Sequence, residues 1–157
     1  MNELQTRIID VGTGTSFSVV ELPLKVPNGF AAKLEYFQIR RHNVGNVDSV
    51  QWWALHRGRY INQANINSTI EFARHNGWVA FLGIDLDYAG ASGVRSSEVV
   101  LTFDLHHYDY RMVENPAIWM YDSSGSGLDQ AVGIVAYTLV PASEDETNQI
   151  LLWQGGY

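Results

Sequence analysis

The sequence predicts an all-β fold, an eight-stranded antiparallel jelly-roll sandwich or barrel with one or two short helices. Three observations predict it. About eight stretches alternate apolar and polar residues with the period of two that belongs to a strand with one buried face. Turn-forming residues separate these stretches at the intervals typical of a sandwich or barrel. Only two short segments carry helix-start signals, and an antiparallel sandwich with this strand count is most economically a jelly roll or a close Greek-key relative.

Arg7 to Val11 is the first strand candidate, closed by Gly12-Thr13-Gly14. Ser16 to Leu24 follows, with Phe17, Val19 and Glu21 on one face and Ser18, Val20 and Leu22 on the other; Pro23 and Pro27 suit a sheet edge or exit. Asn28-Gly29 signals a turn. Ala31 to Arg41 and Ser49 to Arg57 are strands flanking a polar turn at 43–48, and the spacing allows them to pair as a hairpin. Gly58 to Gly77 is the least strand-like part, and Ser68-Thr69-Ile70-Glu71 has capping-box spacing for a helix of two turns. Trp78 to Asp87 returns to strand, and the small-residue loop 89–97 leads into Glu98–Arg111. There Val99, Leu101, Phe103 and Leu105 alternate with Thr102, Asp104 and His106, the pattern of a long core strand. Ala117 to Asp122 is a short strand, and Gln130 to Val140, apolar on both faces, reads as a central strand covered on both sides. Ser143-Glu144-Asp145-Glu146 is a second capping box, with Ile150, Leu151 and Trp153 behind it, and predicts a short helix docked on the barrel. The expected organisation is one domain over 1–157, with its core at about 7–141 and a helix and tail at 143–157.

The composition of the 157-residue chain narrows the function classes. Net charge is −7, from 17 acidic and 10 basic residues, which opposes non-specific attraction to phosphate backbones or anionic lipid heads. Without cysteine there is no disulfide, thiolate ligand or cysteine nucleophile. No apolar run reaches the roughly 20 residues that span a bilayer, and Met1 to Arg7 lacks the layout of a signal peptide, so a soluble, non-secreted protein is expected. The five Trp and eight Tyr suit a β core and also protein–protein contact.

Each candidate for chemistry has a simpler structural reading. Asp104, His106, His107 and Asp109 are metal-ligand types, but adjacent His106 and His107 point to opposite faces of a strand, so a polar strand end at the sheet rim is the expected role. Asp85 and Asp87 share a strand face, as catalytic carboxylates can, and acids on the wet side of a strand are commonplace. Gly12-Thr-Gly-Thr-Ser16 lacks the third glycine and following helix of a dinucleotide site. With 31–41 and 49–57 paired, the clusters Arg40-Arg41-His42 and His56-Arg57-Gly58-Arg59 fall on the order of 20 Å apart, at opposite hairpin ends and not in one nucleic-acid groove. No catalytic residue, cofactor site or metal site is assigned, and an enzyme is not expected. Of adjacent Trp52 and Trp53, one ring enters the core and the other faces out. Interface candidates are Trp52, Trp53, Arg57, Tyr60, Trp119, Tyr121, Trp153 and Tyr157.

A cysteine-free pattern of eight strands at this length, with small-residue loops and a short trailing helix, resembles a small viral capsid protein of the single jelly-roll kind. The resemblance covers about 7–140 and is architectural; it carries no family motif and transfers no functional residue. It implies a structural virion protein, made in the host cytoplasm, whose copies self-assemble through the sides of the barrel into an icosahedral shell. Implied partners are copies of itself and a second capsid protein. The first thirty residues hold only Arg7 and Lys25 as basic residues, so no nucleic-acid-binding arm is expected, which suits small barrels that build shells over an internal membrane. The alternative is a carbohydrate-binding β-sandwich using exposed Trp and Tyr, and a third reading is an enzyme using the 104–109 region.

Overall fold

Among the described residues, nine strands are shared between two antiparallel sheets. They are β1 (Leu4–Asp10), β2 (Phe17–Glu21), β3 (Phe30–Asn43), β4 (Ser49–His56), β5 (Trp78–Leu86), β6 (Ser97–Asp104), β7 (Arg111–Met112), β8 (Ala117–Asp122) and β9 (Gln130–Pro141), followed by helix α1 (Glu144–Gly155). The structure, a computed structural model, describes residues 3–10, 17–43, 49–58, 77–86, 97–122 and 130–155. One sheet has the order β1-β9-β3-β6, with β7 also paired to β3; the other has the order β2-β8-β4-β5. The pairs are nested: β1 with β9, β2 with β8, β3 with β6 and β4 with β5. A long antiparallel ribbon rolled on itself gives this order, which is that of a jelly roll.

Nesting overturns one expectation. β3 and β4 do not form a hairpin: β3 pairs with β9 and β6 while β4 lies in the other sheet against β5 and β8. Arg40 stands opposite Val100 and Val132, and Gln51 opposite Ile84 and Asp122. Sequence adjacency favours a hairpin, but pairing inside one sheet would leave the inner faces of both strands without an opposing layer. Placing them in opposite sheets lets Phe37 and Ile39 of β3 join Trp53 and Leu55 of β4 in one core.

Several local predictions hold. Gly29 has φ 82° and the Phe30 N–H donates to Pro27 O at 3.2 Å, so glycine sits where this turn needs a left-handed residue. β9 is central, between β1 and β3. At α1 the Ser143 N–H donates to Glu146 Oε2 (2.8 Å) and the Glu146 N–H to Ser143 Oγ (3.2 Å), the reciprocal pair that the capping-box spacing predicts. The capping box at 68–71 lies outside the described residues.

The stretch 98–111 is not one long strand. β6 stops at Asp104, a single 3-10 turn covers His106–Tyr108, and β7 begins at Arg111. Asp104 Oδ1 accepts from the His106 N–H (2.9 Å), while Leu105, fully buried, donates its N–H to Glu35 O (2.9 Å). Asp109 closes the turn in the left-handed region at φ 49°, which Asp tolerates better than most residues. The apolar alternation is right through Leu105, and local side-chain bonding by Asp104 then competes with the ladder.

Candidate functional site

The eight interface candidates separate into four groups. Trp53 points between the sheets and is 1% exposed; Trp52, next to it, lies on the outer face of the second sheet, as strand alternation requires. On that outer face Trp52 stands opposite Tyr121, and Trp119 stands opposite Ala54. The candidates Trp119 and Tyr121 therefore share a face with Trp52, but they do not form an exposed platform: Trp119 is 0% and Tyr121 9% exposed. They belong to a second hydrophobic cluster in which Trp52 stacks on Phe81 at 4.8 Å, and Trp119 meets Trp78 edge-on at 4.7 Å and stacks on His56 at 5.1 Å. As contact residues Trp53, Trp119 and Tyr121 are corrected to core residues; aromatic area of this size is worth more in a packed cluster than in water.

Gly83 makes the Trp52 position possible. It pairs with Trp52, and a Cβ there would lie 2.5 Å from Trp52 Cζ3. Arg57 and Trp153, far apart in sequence, meet: the guanidinium lies 5.6 Å from the indole centroid. Tyr110 stacks on Trp153 at 5.9 Å and on Tyr108 at 5.7 Å, so a row of rings ties the 3-10 turn to α1. Tyr60 and Tyr157 lie outside the described residues, as do Asp87 and the side chain of Asp85.

The titratable cluster at 104–109 resolves into two separate side-chain pairs. Arg111 reaches both carboxylate oxygens of Asp109, at 3.2 and 3.3 Å. His106 Nδ1 lies 2.5 Å from Glu35 Oε2, and Thr138 Oγ1 donates to Glu35 Oε1 at 2.9 Å. An ionised carboxylate can only accept, so Nδ1 carries the proton. Burial alone would raise the Glu35 carboxyl, but the bonds from His106 and Thr138, with the charge of Lys33 and His106, hold it below the ordinary Glu value. The His106 and His107 rings meet edge-on at 5.3 Å, because the 3-10 turn replaces strand alternation. Among the described residues no group of three or more His, Asp or Glu is placed to hold a metal ion.

Glu35 owes its position to a β-bulge. The β3–β9 register shifts between Leu34 and Tyr36, so Glu35 is the extra residue and it turns outward together with Tyr36. Around them the outer face of the first sheet is apolar at its centre. Ile8 faces Ile134, Thr6 faces Ala136 and Leu4 faces Thr138, while Tyr36, Gln38 and Arg40 continue the rows toward Asp104, Thr102 and Val100. Ile8 is 68%, Leu4 53% and Val100 45% exposed. A shallow depression of about 490 Å³ crosses this face, lined by Leu4, Glu35, Tyr36, Gln38, Thr102, Asp104 and His106.

Sequence reasoning missed this face. β1 splits its aliphatics between two faces: Gln5, Arg7 and Ile9 turn inward, with Ile9 on the core, Arg7 5.9 Å over the ring of buried Tyr137 and Gln5 Oε1 accepting from its hydroxyl, while Leu4 and Ile8 turn out. A period-two reading sends the aliphatics of such a strand to the core.

Among the described residues, fold and surfaces together define a jelly roll whose distinctive chemistry lies on its broad sides. No family model matches the sequence, and no curated protein does. Solved structures similar to this chain include tomato aspermy virus, at 13% identity over 91% of this chain and 80% of that one, with a TM-score of 0.48. The tobacco streak virus coat protein aligns at 14% identity over 90% of this chain and 88% of that one, TM-score 0.38. A family two carbohydrate esterase from Cellvibrio japonicus aligns at 13% identity over 91% of this chain and 36% of that one, TM-score 0.33. The fold assignment rests on the strand order and registers described above.

Proposed function

We propose that this protein is a structural subunit of a virus particle, a coat protein resident in the virion, whose copies self-assemble through the sides of the barrel into an icosahedral shell. The observation that carries the reading is the outer face of the first sheet, where Leu4, Ile8 and Val100 stand exposed around a mostly buried Ile134. A sandwich needs one apolar face per sheet to fold; a second one on the outside marks a surface meant to be covered. Small barrels in closed symmetry bury large areas through modest individual contacts, and no chemical step is required.

The basic residues agree with a subunit that leaves the genome to other components. Arg7 is turned inward over Tyr137, which removes it from any basic surface of β1. Among the described residues no helix is long and apolar enough to cross a membrane. The carbohydrate-binding alternative drew on one outward Trp of the 52–53 pair with Trp119 and Tyr121 beside it, and the burial of Trp119 and Tyr121 weakens that platform. A second coat protein is the natural further partner for a shell built from such small barrels.

The test is light scattering on the purified protein across concentration and salt, with negative-stain microscopy of each species. Rings or closed particles of uniform size are expected. A monomer under every condition overturns the reading.

A further inference from the structure

We propose that two copies of this chain pack face to face through the outer side of the β1-β9-β3-β6 sheet, the β1 ridge of each seated in the depression over β3 and β6 of the other. This names one contact of the proposed coat subunit and rests on that reading for its place in a larger assembly.

Three features select a second copy as the occupant. First, the face exposes apolar side chains on both of its outer strands, Leu4 and Ile8 on β1 and Val100 on β6, with buried Ile134 and Ala136 and the polar Gln38 and Arg40 between them. Second, its described charged side chains are matched in sign: Lys33, Arg40 and, opposite Lys33, Arg111 stand with Glu35, Asp104 and the Arg111 partner Asp109. In a chain of net charge −7 the described side chains of this face carry no excess of either sign, which favours a second copy over a polyanion or a polycation as its partner. Third, the face is the right size for a reversible contact. Four strands about 4.8 Å apart and seven residues at about 3.3 Å each give a footprint on the order of 450 Å². That is roughly half the ~800 Å² per partner of a standard interface, enough for association in the micromolar range or weaker.

The registers also choose the symmetry. A two-fold axis along the strands lays β1 of one copy over β6 of the other and β9 over β3, at matching heights. Ile8, in the row of Ile134, Gln38 and Thr102, then enters the partner copy's depression beside its Gln38 and Thr102. An axis across the strands would invert the heights and bring Lys33 of one copy toward Arg40 of the other, like charge on like charge.

Sedimentation velocity across concentration tests the contact with three surface variants, each at an exposed position where folding is not at stake. Ile8→Asp weakens association about a hundredfold, because an isologous contact contains the change twice. Thr102→Arg weakens it comparably, and combining Ile8→Asp with Thr102→Arg restores it, since the two positions face each other across the axis. Leu152→Asp, on α1 and 76% exposed, leaves it unchanged. Association that ignores Ile8→Asp, or a double variant no better than either single one, overturns the proposal. So does monomeric protein that binds phosphatidylcholine vesicles through Ile8, which would assign the face to a bilayer. Closed particles that survive Ile8→Asp overturn the contact and leave the coat reading standing. Reversible dimers that never grow uphold the contact and overturn the coat reading.

Discussion

Replacing Gln154 by leucine should cost this protein more than any other single change in its helix. Gln154, 2% exposed, makes four hydrogen bonds with one side chain. Oε1 accepts from the N–H groups of Val113 (2.8 Å) and Glu114 (2.9 Å), and Nε2 donates to Arg57 O (2.7 Å) and Glu114 O (3.0 Å). The amide thereby joins the end of α1 to the segment after β7 and to the end of β4. The helix end approaches so closely that a Cβ on Gly58 would lie 2.8 Å from Gln154 O. Each such bond is worth about 1 kcal/mol net, and stranded donors or acceptors cost about 1–3 kcal/mol each where water cannot reach them. Leucine keeps the bulk and gains some apolar burial, so the net loss for Gln154→Leu is about 2–4 kcal/mol. For a chain of this length that is a fall in Tm of about 5–15 °C. Urea denaturation followed by far-ultraviolet circular dichroism and by tryptophan fluorescence measures it. Gln154→Glu should be at least as damaging at neutral pH, because a carboxylate faces Arg57 O and Glu114 O with no proton to give. A loss below about 0.5 kcal/mol for Gln154→Leu would refute the reasoning that this amide fastens the helix to the barrel.

Gly83→Ala should destabilise by about 1–3 kcal/mol, since its Cβ meets Trp52, and pairing it with Trp52→Leu should recover part of the loss in thermal unfolding. Gly77→Ala should cost about as much or more, because Gly77 has φ 98° and a Cβ would sit 2.5 Å from His56 Nε2; the same melts report it. Ser143→Ala, which removes the cap oxygen from the Glu146 N–H, should cost about 1 kcal/mol in urea unfolding. Glu35 should make stability fall on acidification. Its folded carboxyl titrates below the ordinary Glu value, so the unfolded chain takes up the proton first as pH drops. The contribution is complete above the ordinary Glu range and vanishes as pH falls through the depressed value, so urea midpoints of Glu35→Gln should decline less steeply than wild type across that window.

The sequence was most readable where one segment carries its own physics. The 143–146 capping box, the turn at Gly29, the alternation that sends one of Trp52 and Trp53 in and the other out, and the central strand β9 all follow from local pattern, and the structure has each of them. Pairing was less readable because, apart from β4 with β5, each strand's partners lie far along the chain. A hairpin between β3 and β4 satisfied every local rule and failed on the nested order. The surface was least readable. Trp119 and Tyr121 sit on an outward face yet are buried in a second cluster, which period-two alternation cannot express. β1, with Ile9 on the core and Leu4 and Ile8 outside, hides its exposed aliphatics from a period-two reading, and the bulge that turns Glu35 and Tyr36 to the same side has no glycine or proline to announce it.

The absence of cysteine makes the central claim, assembly through the outer side of the first sheet, directly measurable. A single Ile8→Cys substitution places one thiol on that face, and its rate of maleimide labelling can be followed in dissociated and in assembled protein. A Leu152→Cys variant supplies a reference thiol on α1. The account predicts that assembly slows labelling at position 8 at least tenfold while the thiol at 152 reacts as before. Assemblies in which the thiol at position 8 reacts as fast as in the dissociated protein would contradict it.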